Sequence, residues 1–199
     1  MVIVLPARTS TAAAILAGGA ARRFGGHDKS RLVVEGRSII IRQMEVLQQV
    51  AGEIFIVSPF ASRFTDLDVP VHPDRIAGLG AIGGIFTALE VAQSDYVLVV
   101  ACDLPFLDAG LLGRLVELSA DGDGAWVRST RGVEPLLSCY RREARATIGS
   151  EIAAGRLKAG DLGSALRMAE LSGDDLARFG PPDRLLANLN TPEDLARLR

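Results

Sequence analysis

Tyr96-Val97-Leu98-Val99-Val100-Ala101-Cys102-Asp103-Leu104-Pro105-Phe106 is the stretch on which the fold turns. Its first six residues carry no charge and include three β-branched valines. Such a run reads as a strand buried on both faces, the kind that sits inside a parallel sheet. Pro105 then takes the chain out of the strand, because its ring fixes φ and removes a donor. Asp103 is left at the carboxyl end, where open α/β sheets bind ligands.

Working outward, apolar runs alternate with helical patterns. Residues 12–16 (Ala-Ala-Ala-Ile-Leu) read as a second buried strand, running into Gly18 and Gly19. Residues 38–50 have apolar positions at helical spacing, with Ser38 as N-cap. Residues 53–57 (Glu-Ile-Phe-Ile-Val) are strand-like, residues 69–72 form a shorter strand, and residues 81–93 read as a helix after a glycine-rich turn. Asp108 caps a helix reaching Leu118. Residues 125–127 and 136–140 are expected as strands and residues 141–154 as a helix. Thr191-Pro192-Glu193-Asp194 places a hydroxyl, a first-turn proline and two acids at a helix start. This alternation predicts an α/β fold of three layers, Rossmann-like, with a mostly parallel central sheet and helices on both faces. No repeat or low-complexity linker interrupts it. A single domain over residues 11–199 is expected, preceded by a flexible tail over residues 1–10.

Bulk composition narrows the function. Among 199 residues, 48% are hydrophobic and 23% charged, which excludes a disordered chain. A net charge of −2 supplies no global field for nucleic acid, and 5% aromatics are too few for a base-stacking platform. Any anionic ligand must therefore be caught locally. No stretch approaches the roughly twenty apolar residues of a membrane span. The apolar first 19 residues lack a basic leader and are broken by Pro6 and Arg8, so a cytoplasmic protein is expected. Cys102 and Cys139 form no C-x-x-C or zinc pattern and read as thiols in a reducing compartment.

The local anion site is Leu16-Ala17-Gly18-Gly19-Ala20-Ala21-Arg22-Arg23-Phe24-Gly25-Gly26-His27-Asp28-Lys29. A strand delivers the chain into a loop with four glycines and three cations. Glycine lets backbone N–H groups approach phosphate oxygens, arginine grips phosphate with a planar fork, and lysine adds a point charge. Only Lys29 and Lys158 are lysine in a chain whose other cations are all arginine, which marks Lys29. The loop is not a Walker loop, since G-K-[ST] is missing.

This loop resembles the signature of the molybdenum cofactor guanylyltransferases, L-A-G-G-x-x-x-R-[MF]-G-G-x-D-K, at every fixed position, with Phe24 in the M/F slot. The related cytidylyltransferases usually carry L-A-A-G. Cys102-Asp103-Leu104-Pro105-Phe106 is similar to the family's C-D-x-P-[FY] metal segment. Asn188-Leu189-Asn190-Thr191-Pro192-Glu193-Asp194-Leu195 is similar to its N-x-N-T-P-E-[DE]-L. The resemblance implies a nucleotidyltransferase fold and transfer of GMP from GTP to the phosphate of molybdopterin, or Mo-molybdopterin, with loss of pyrophosphate. It implies that Gly18, Gly19, Arg23 and Lys29 hold phosphates, with Arg23, Lys29 and Asp103 catalytic. Leu16 and Ala17 backbone groups, with Asp74, face the base. Mg²⁺ is held by Asp103 and Asn190, since hard oxygens suit it. Further partners it implies are cofactor-delivery and molybdoenzyme maturation proteins, the enzyme itself being a monomer.

Two features depart from that pattern or compete with it. The second strand ends Val57-Ser58-Pro59, where the family often has Asn. Ser58 retains a hydrogen-bonding group for the nucleotide, but Pro59 alters the loop. Gly78-Leu79-Gly80-Ala81-Ile82-Gly83 matches the dinucleotide fingerprint G-x-G-x-x-G, with Asp103 about twenty residues downstream. Read alone it implies a nicotinamide oxidoreductase. Residues 73–77 separate it from the preceding strand, however, and the fingerprint requires the strand to run directly into the first glycine. The acceptor side falls in the middle region, with Arg128, Arg131 and the Glu134-Pro135-Leu136 turn as candidates. Alternatives to guanylyl transfer are a cytidylyl- or sugar-phosphate nucleotidyltransferase and, from another class, a nucleotide-binding module without catalysis.

Overall fold

The computed structural model describes residues 8–18, 29–189 and 194. Among these residues nine strands follow in chain order: β1 (Thr11–Leu16), β2 (Val33–Val34), β3 (Arg37–Ser38), β4 (Glu53–Val57), β5 (Val71–His72), β6 (Tyr96–Ala101), β7 (Gly124–Ser129), β8 (Gly132–Arg141) and β9 (Met168–Leu171). The helices are α1 (Ile39–Val50), α2 (Ala81–Val91), α3 (Ala109–Leu118), α4 (Arg145–Ala153), α5 (Gly173–Ala177) and α6 (Pro182–Leu185). Seven strands form one sheet in the order β5-β4-β1-β6-β8-β7-β9, and β2 and β3 pair separately. The pairs β4–β5, β1–β4, β1–β6 and β7–β9 are parallel, while β8 runs antiparallel to both of its neighbours. The mostly parallel sheet read from the sequence is thus present, with β8 as its reversed strand.

The sheet is covered on both faces because its central strands are apolar throughout. Ala13 and Ile15 of β1, with Leu98 and Val100 of β6, meet Ile40 and Leu47 of α1 and Leu111, Leu112 and Leu115 of α3. Ala12, Ala14 and Leu16, with Val97 and Val99, meet Ile82, Ile85 and Leu89 of α2 and Ile148 of α4. Side chains of a strand alternate between faces, so an uninterrupted apolar run feeds two cores. The alanines of β1 let the layers approach closely. At Gly84 of α2, an added Cβ would stand 2.8 Å from Leu16 Cδ1.

Local signals account for most boundaries. The side chain of Asp108 accepts from Leu111 N at 2.9 Å, as an N-cap should. Ser38 occupies the N-cap position of α1 with extended backbone, but its side chain makes no capping bond. Residues 141–154 divide into a short 3-10 turn, Arg142–Ala144, and α4. Arg8–Ser10 forms another such turn, and Arg8 Nε donates to Ala51 O at 3.0 Å. The β2–β3 hairpin is not apparent from the residue pattern. Glu35 (φ 49°) and Gly36 (φ 82°) make its two-residue turn, in which both residues take positive φ. No helix among the described residues is long and apolar enough to cross a membrane.

Candidate active site

Strand order places the crevice. β1 lies between β4 and β6, with sheet growing outward on both sides of it, and ligands bind at such a switch point beside the carboxyl ends. Leu16, Val57 and Ala101 lie in register across the three strands, so the three following loops start at one level. Backbone bonding continues past the strand ends: Ala17 N donates to Val57 O at 2.9 Å and Cys102 N to Leu16 O at 3.2 Å. The loops that carry chemistry are therefore anchored before they diverge.

Lys29 Nζ stands 3.9 Å from Asp103 Oδ2, with side-chain exposures of 23% and 21%. The loop end and the acidic strand end are thus brought together, as their chemistry demands. Burial raises the pKa of Asp103, and the Lys29 charge partly offsets this. Opposite Asp103, β8 is bulged. Between Trp126 and Val127 the β7 partner jumps from Ser138 to Glu134, and the buried Tyr140 hydroxyl donates to Pro135 O at 3.1 Å. A cleft of about 260 Å³ results, lined by Asp103, Leu104, the bulge and Asn188 among others. It meets a second concavity of about 350 Å³ at Leu186 and Asn188, where Arg128 and Arg131 lie. Arg128 is engaged by Glu170 at 2.5 Å, and Arg131 donates to Leu186 O at 3.3 Å. The middle-region candidates therefore flank one cleft beside Asp103.

Gly18 faces the opposite wall. A Cβ there would lie 3.6 Å from Pro59 Cδ and 3.7 Å from Asp74 Oδ2, so these residues bound a slot beside β1. Burial also raises the pKa of Asp74. Ser58 is 1% exposed; its Oγ donates to Ala17 O at 3.0 Å and accepts from Phe60 N at 3.1 Å. Its hydroxyl braces the loops. The G-x-G stretch is a turn and not a fingerprint. Gly78 and Gly80 take positive φ, Gly80 caps α2, and β5 ends at His72, well before them. Gly19, Arg23 and Asn190 lie outside the described residues, as does most of the helix expected from Thr191. Leu189 N, however, donates to Asp103 O at 3.1 Å, so the chain leading to Asn190 is fastened to the acidic strand end.

Sequence reading missed two supports. Gln43 of α1 is 1% exposed, and its Nε2 donates to Ala101 O at 2.7 Å and Leu104 O at 2.9 Å, bracketing Asp103. The hydroxyl of Thr87, buried in α2, accepts from Arg75 N at 2.9 Å and holds the loop of Asp74. The one signal for Gln43 was a polar residue on the apolar stripe of α1.

A divalent cation fits this donor set. Two acids, Asp103 and Glu134, and the amide residue Asn188 line the cleft, all with hard oxygen donors, and among the described residues no cluster of three His, Cys, Asp or Glu forms a complete protein cage. Mg²⁺ is commonly held this way, by one or two carboxylates with substrate phosphates completing the shell. Cys102 and Cys139 form no disulfide, and burial pushes the Cys139 thiol up to about 12, which makes it inert.

The comparisons with known proteins agree with this geometry. Residues 13–168 match the MobA-like NTP transferase domain. The chain belongs to this family. A probable molybdenum cofactor guanylyltransferase of Chloroflexus aggregans is 32% identical, over 96% of this chain and 94% of that protein. A molybdenum cofactor guanylyltransferase of a Shewanella species is 31% identical, over 94% and 93%. The crystal structure of molybdopterin-guanine dinucleotide biosynthesis protein A from Archaeoglobus fulgidus superposes with a TM-score of 0.78 at 25% identity, covering 94% of this chain and 96% of that one. The α/β nucleotidyltransferase fold of the family is thus the fold of this chain.

Proposed function

We propose that this protein transfers GMP from GTP to the phosphate of molybdopterin, or Mo-molybdopterin, and releases pyrophosphate. The observation that carries the proposal is the meeting of Lys29 and Asp103, 3.9 Å apart, at the mouth of a cleft lined by Asn188 and the β8 bulge. Family membership and the names of the relatives supply the substrates.

In this reading an oxygen of the acceptor phosphate attacks the α-phosphorus of GTP. The new P–O bond forms as the bond to the α,β-bridging oxygen breaks, and pyrophosphate leaves with that electron pair. The nucleophile is already anionic, so no general base is required. The protein contributes alignment and charge neutralisation. Lys29, with Gly18, Gly19 and Arg23, holds the triphosphate. Asp103, with Asn190, would hold Mg²⁺, which when bound screens charge on the reacting phosphates. Asp74, with the backbone groups of Leu16 and Ala17, faces the base, and its carboxylate is an acceptor that suits guanine, whose N1–H and N2–H₂ are donors. Ser58 acts on the nucleotide through Ala17. The acceptor enters between the β8 bulge and Arg131. A cytoplasmic location and hand-over of the product to maturation proteins belong to the same proposal.

Pyrophosphate release with each nucleoside triphosphate, with and without molybdopterin, tests it. Release should need GTP and molybdopterin together. Preference for CTP would move the chain to the cytidylyltransferases, and binding without release would make it a non-catalytic module.

A further inference from the structure

Asp103 and the C-terminal asparagines come from chain positions more than eighty residues apart. Something must fix their separation, because a metal shell tolerates little slack. The described segment 182–189 crosses the cleft mouth as a strap. It is tied to Asp103 through Leu189 N and to the β7–β8 turn through Arg131 and Leu186 O. Its third tie lies on the far side, at the β2–β3 hairpin. Arg184 of α6 donates to Glu35 Oε1 at 2.7 Å, and Arg42 of α1 approaches Glu35 Oε2 at 3.1 Å. Both guanidinium groups lie over the ring of Phe106, at 3.9 Å for Arg184 and 5.4 Å for Arg42. Arg42 also donates to Pro105 O at 3.0 Å. Beneath this cluster, Val34, Ile39, Phe106 and Leu189 form a small core of their own.

One carboxylate thus links the hairpin that follows Lys29, the loop that follows Asp103, and the strap that carries Asn188. Glu35 is held in a left-handed conformation, φ 49°, at the hairpin tip. That orientation is strained for a residue with a side chain, and it presents the carboxylate to two arginines. A lone exposed ion pair contributes little. Here charge, cation–π contact and a local core act on the same three segments.

We propose that Glu35, Arg184 and Phe106 form a clasp that positions segment 182–189, which carries Asn188, against Asp103, and so sets the affinity of the site for divalent cation. Glu35 and Arg184 are positioning residues and touch no substrate. The proposal rests on the metal reading of Asp103 given above, and the test separates the two.

The probe is Mn²⁺ alone, followed by loss of its free-ion paramagnetic resonance signal in the presence of full-length protein and without nucleotide, which would itself take up the ion. Glu35→Gln and Arg184→Ala should each weaken Mn²⁺ binding about tenfold. GTP binding measured calorimetrically without divalent ion should stay within about twofold of the parent. Arg184→Lys, which keeps the charge, should recover most of the Mn²⁺ affinity. The double variant should lose less than the product of the two single losses, because both substitutions remove the Glu35–Arg184 contact. Variants are compared only after thermal unfolding shows them folded; Phe106→Leu, which keeps an apolar residue over the small core, serves if Arg184→Ala does not fold. Parent-like Mn²⁺ affinity in the folded variants, or additive losses, overturns the clasp. If Asp103→Asn also binds Mn²⁺ like the parent, the metal reading itself fails; if only Asp103→Asn loses binding, the clasp alone fails.

Discussion

At the scale of single residues, the site joins charges the fold holds at some cost. Burial raises the Asp103 pKa above its ordinary value of 3.8, so the folded protein favours the protonated form. Its contribution to stability is therefore full below the unfolded pKa and is lost as pH rises through 3.8 toward the folded value. Asp103→Asn should then cut turnover on the order of a hundredfold, about 3 kcal/mol of transition-state stabilisation. Thermal unfolding of the variant at neutral pH should give a Tm no lower than the parent's. Near-parental turnover would remove Asp103 from the chemistry. Metal binding needs the carboxylate ionised, so at limiting Mg²⁺ activity should fall on acidification, and excess Mg²⁺ should restore it. Lys29 lowers that pKa, and Lys29→Ala should move the acid limb upward as well as weaken GTP binding. Lys158 sits exposed, paired with Asp161 at 2.9 Å, and Lys158→Ala should change neither pH profile nor affinity. Gly18 gives a test of base choice. An added methyl meets Pro59 and Asp74 at ordinary contact distances, so Gly18→Ala folds but narrows the slot. Titrations of GTP, ATP and CTP should show the parent's preference for GTP, at least about tenfold, eroding in the variant before phosphate binding suffers.

At the scale of elements, the site is built by contacts that cross from one element to another. Gln43 belongs to α1, yet its amide holds two carbonyls at the end of β6. Gln43→Met keeps the volume and removes both donors, leaving Leu104 O without this partner in a dry interior. Denaturant unfolding should show a loss of about 1–3 kcal/mol. Turnover per folded molecule should fall too, because the turn carrying Asp103 loses its brace; unchanged stability would show that water replaces the amide. The β8 bulge has the same character. Pro135 cannot donate to a ladder, and the register jump at Glu134 turns that defect into the cleft wall.

At the scale of the molecule, ligand and fold are linked. Three loops leave three parallel strands at one level, so a nucleotide that bridged them would stabilise only the folded state. GTP with Mg²⁺ at a hundred times its dissociation constant should stabilise by about 2.7 kcal/mol. A scan of Tm against GTP concentration, with and without Mg²⁺, should show the larger rise with the metal. Equal rises would argue that the cation does not help hold GTP on the protein.

Legibility differed along the chain for physical reasons. β1, β4 and β6 were readable because strands buried on both faces leave an unbroken apolar run, and α3 because Asp108 marks its start. Lys29 and Asp103 were readable because glycine-flanked cations and an acid before Leu-Pro have few other uses. The β2–β3 hairpin and β9 were not, since strands of two and four residues carry too little periodicity. Ser58 was read as a nucleotide ligand from its place after a strand, whereas its hydroxyl is buried against Ala17 O. By itself, then, the sequence determined the layered α/β fold and the ends of its central strands, and it marked the residues proposed to hold phosphate and metal. These depend on local patterns a few residues long. Only the tertiary structure decided that β8 is reversed and bulged, that Gln43 and Thr87 brace the site, and that Glu35 reaches Arg184 across 149 residues of chain. Such pairs lie far apart in sequence, and packing alone brings them within hydrogen-bonding range.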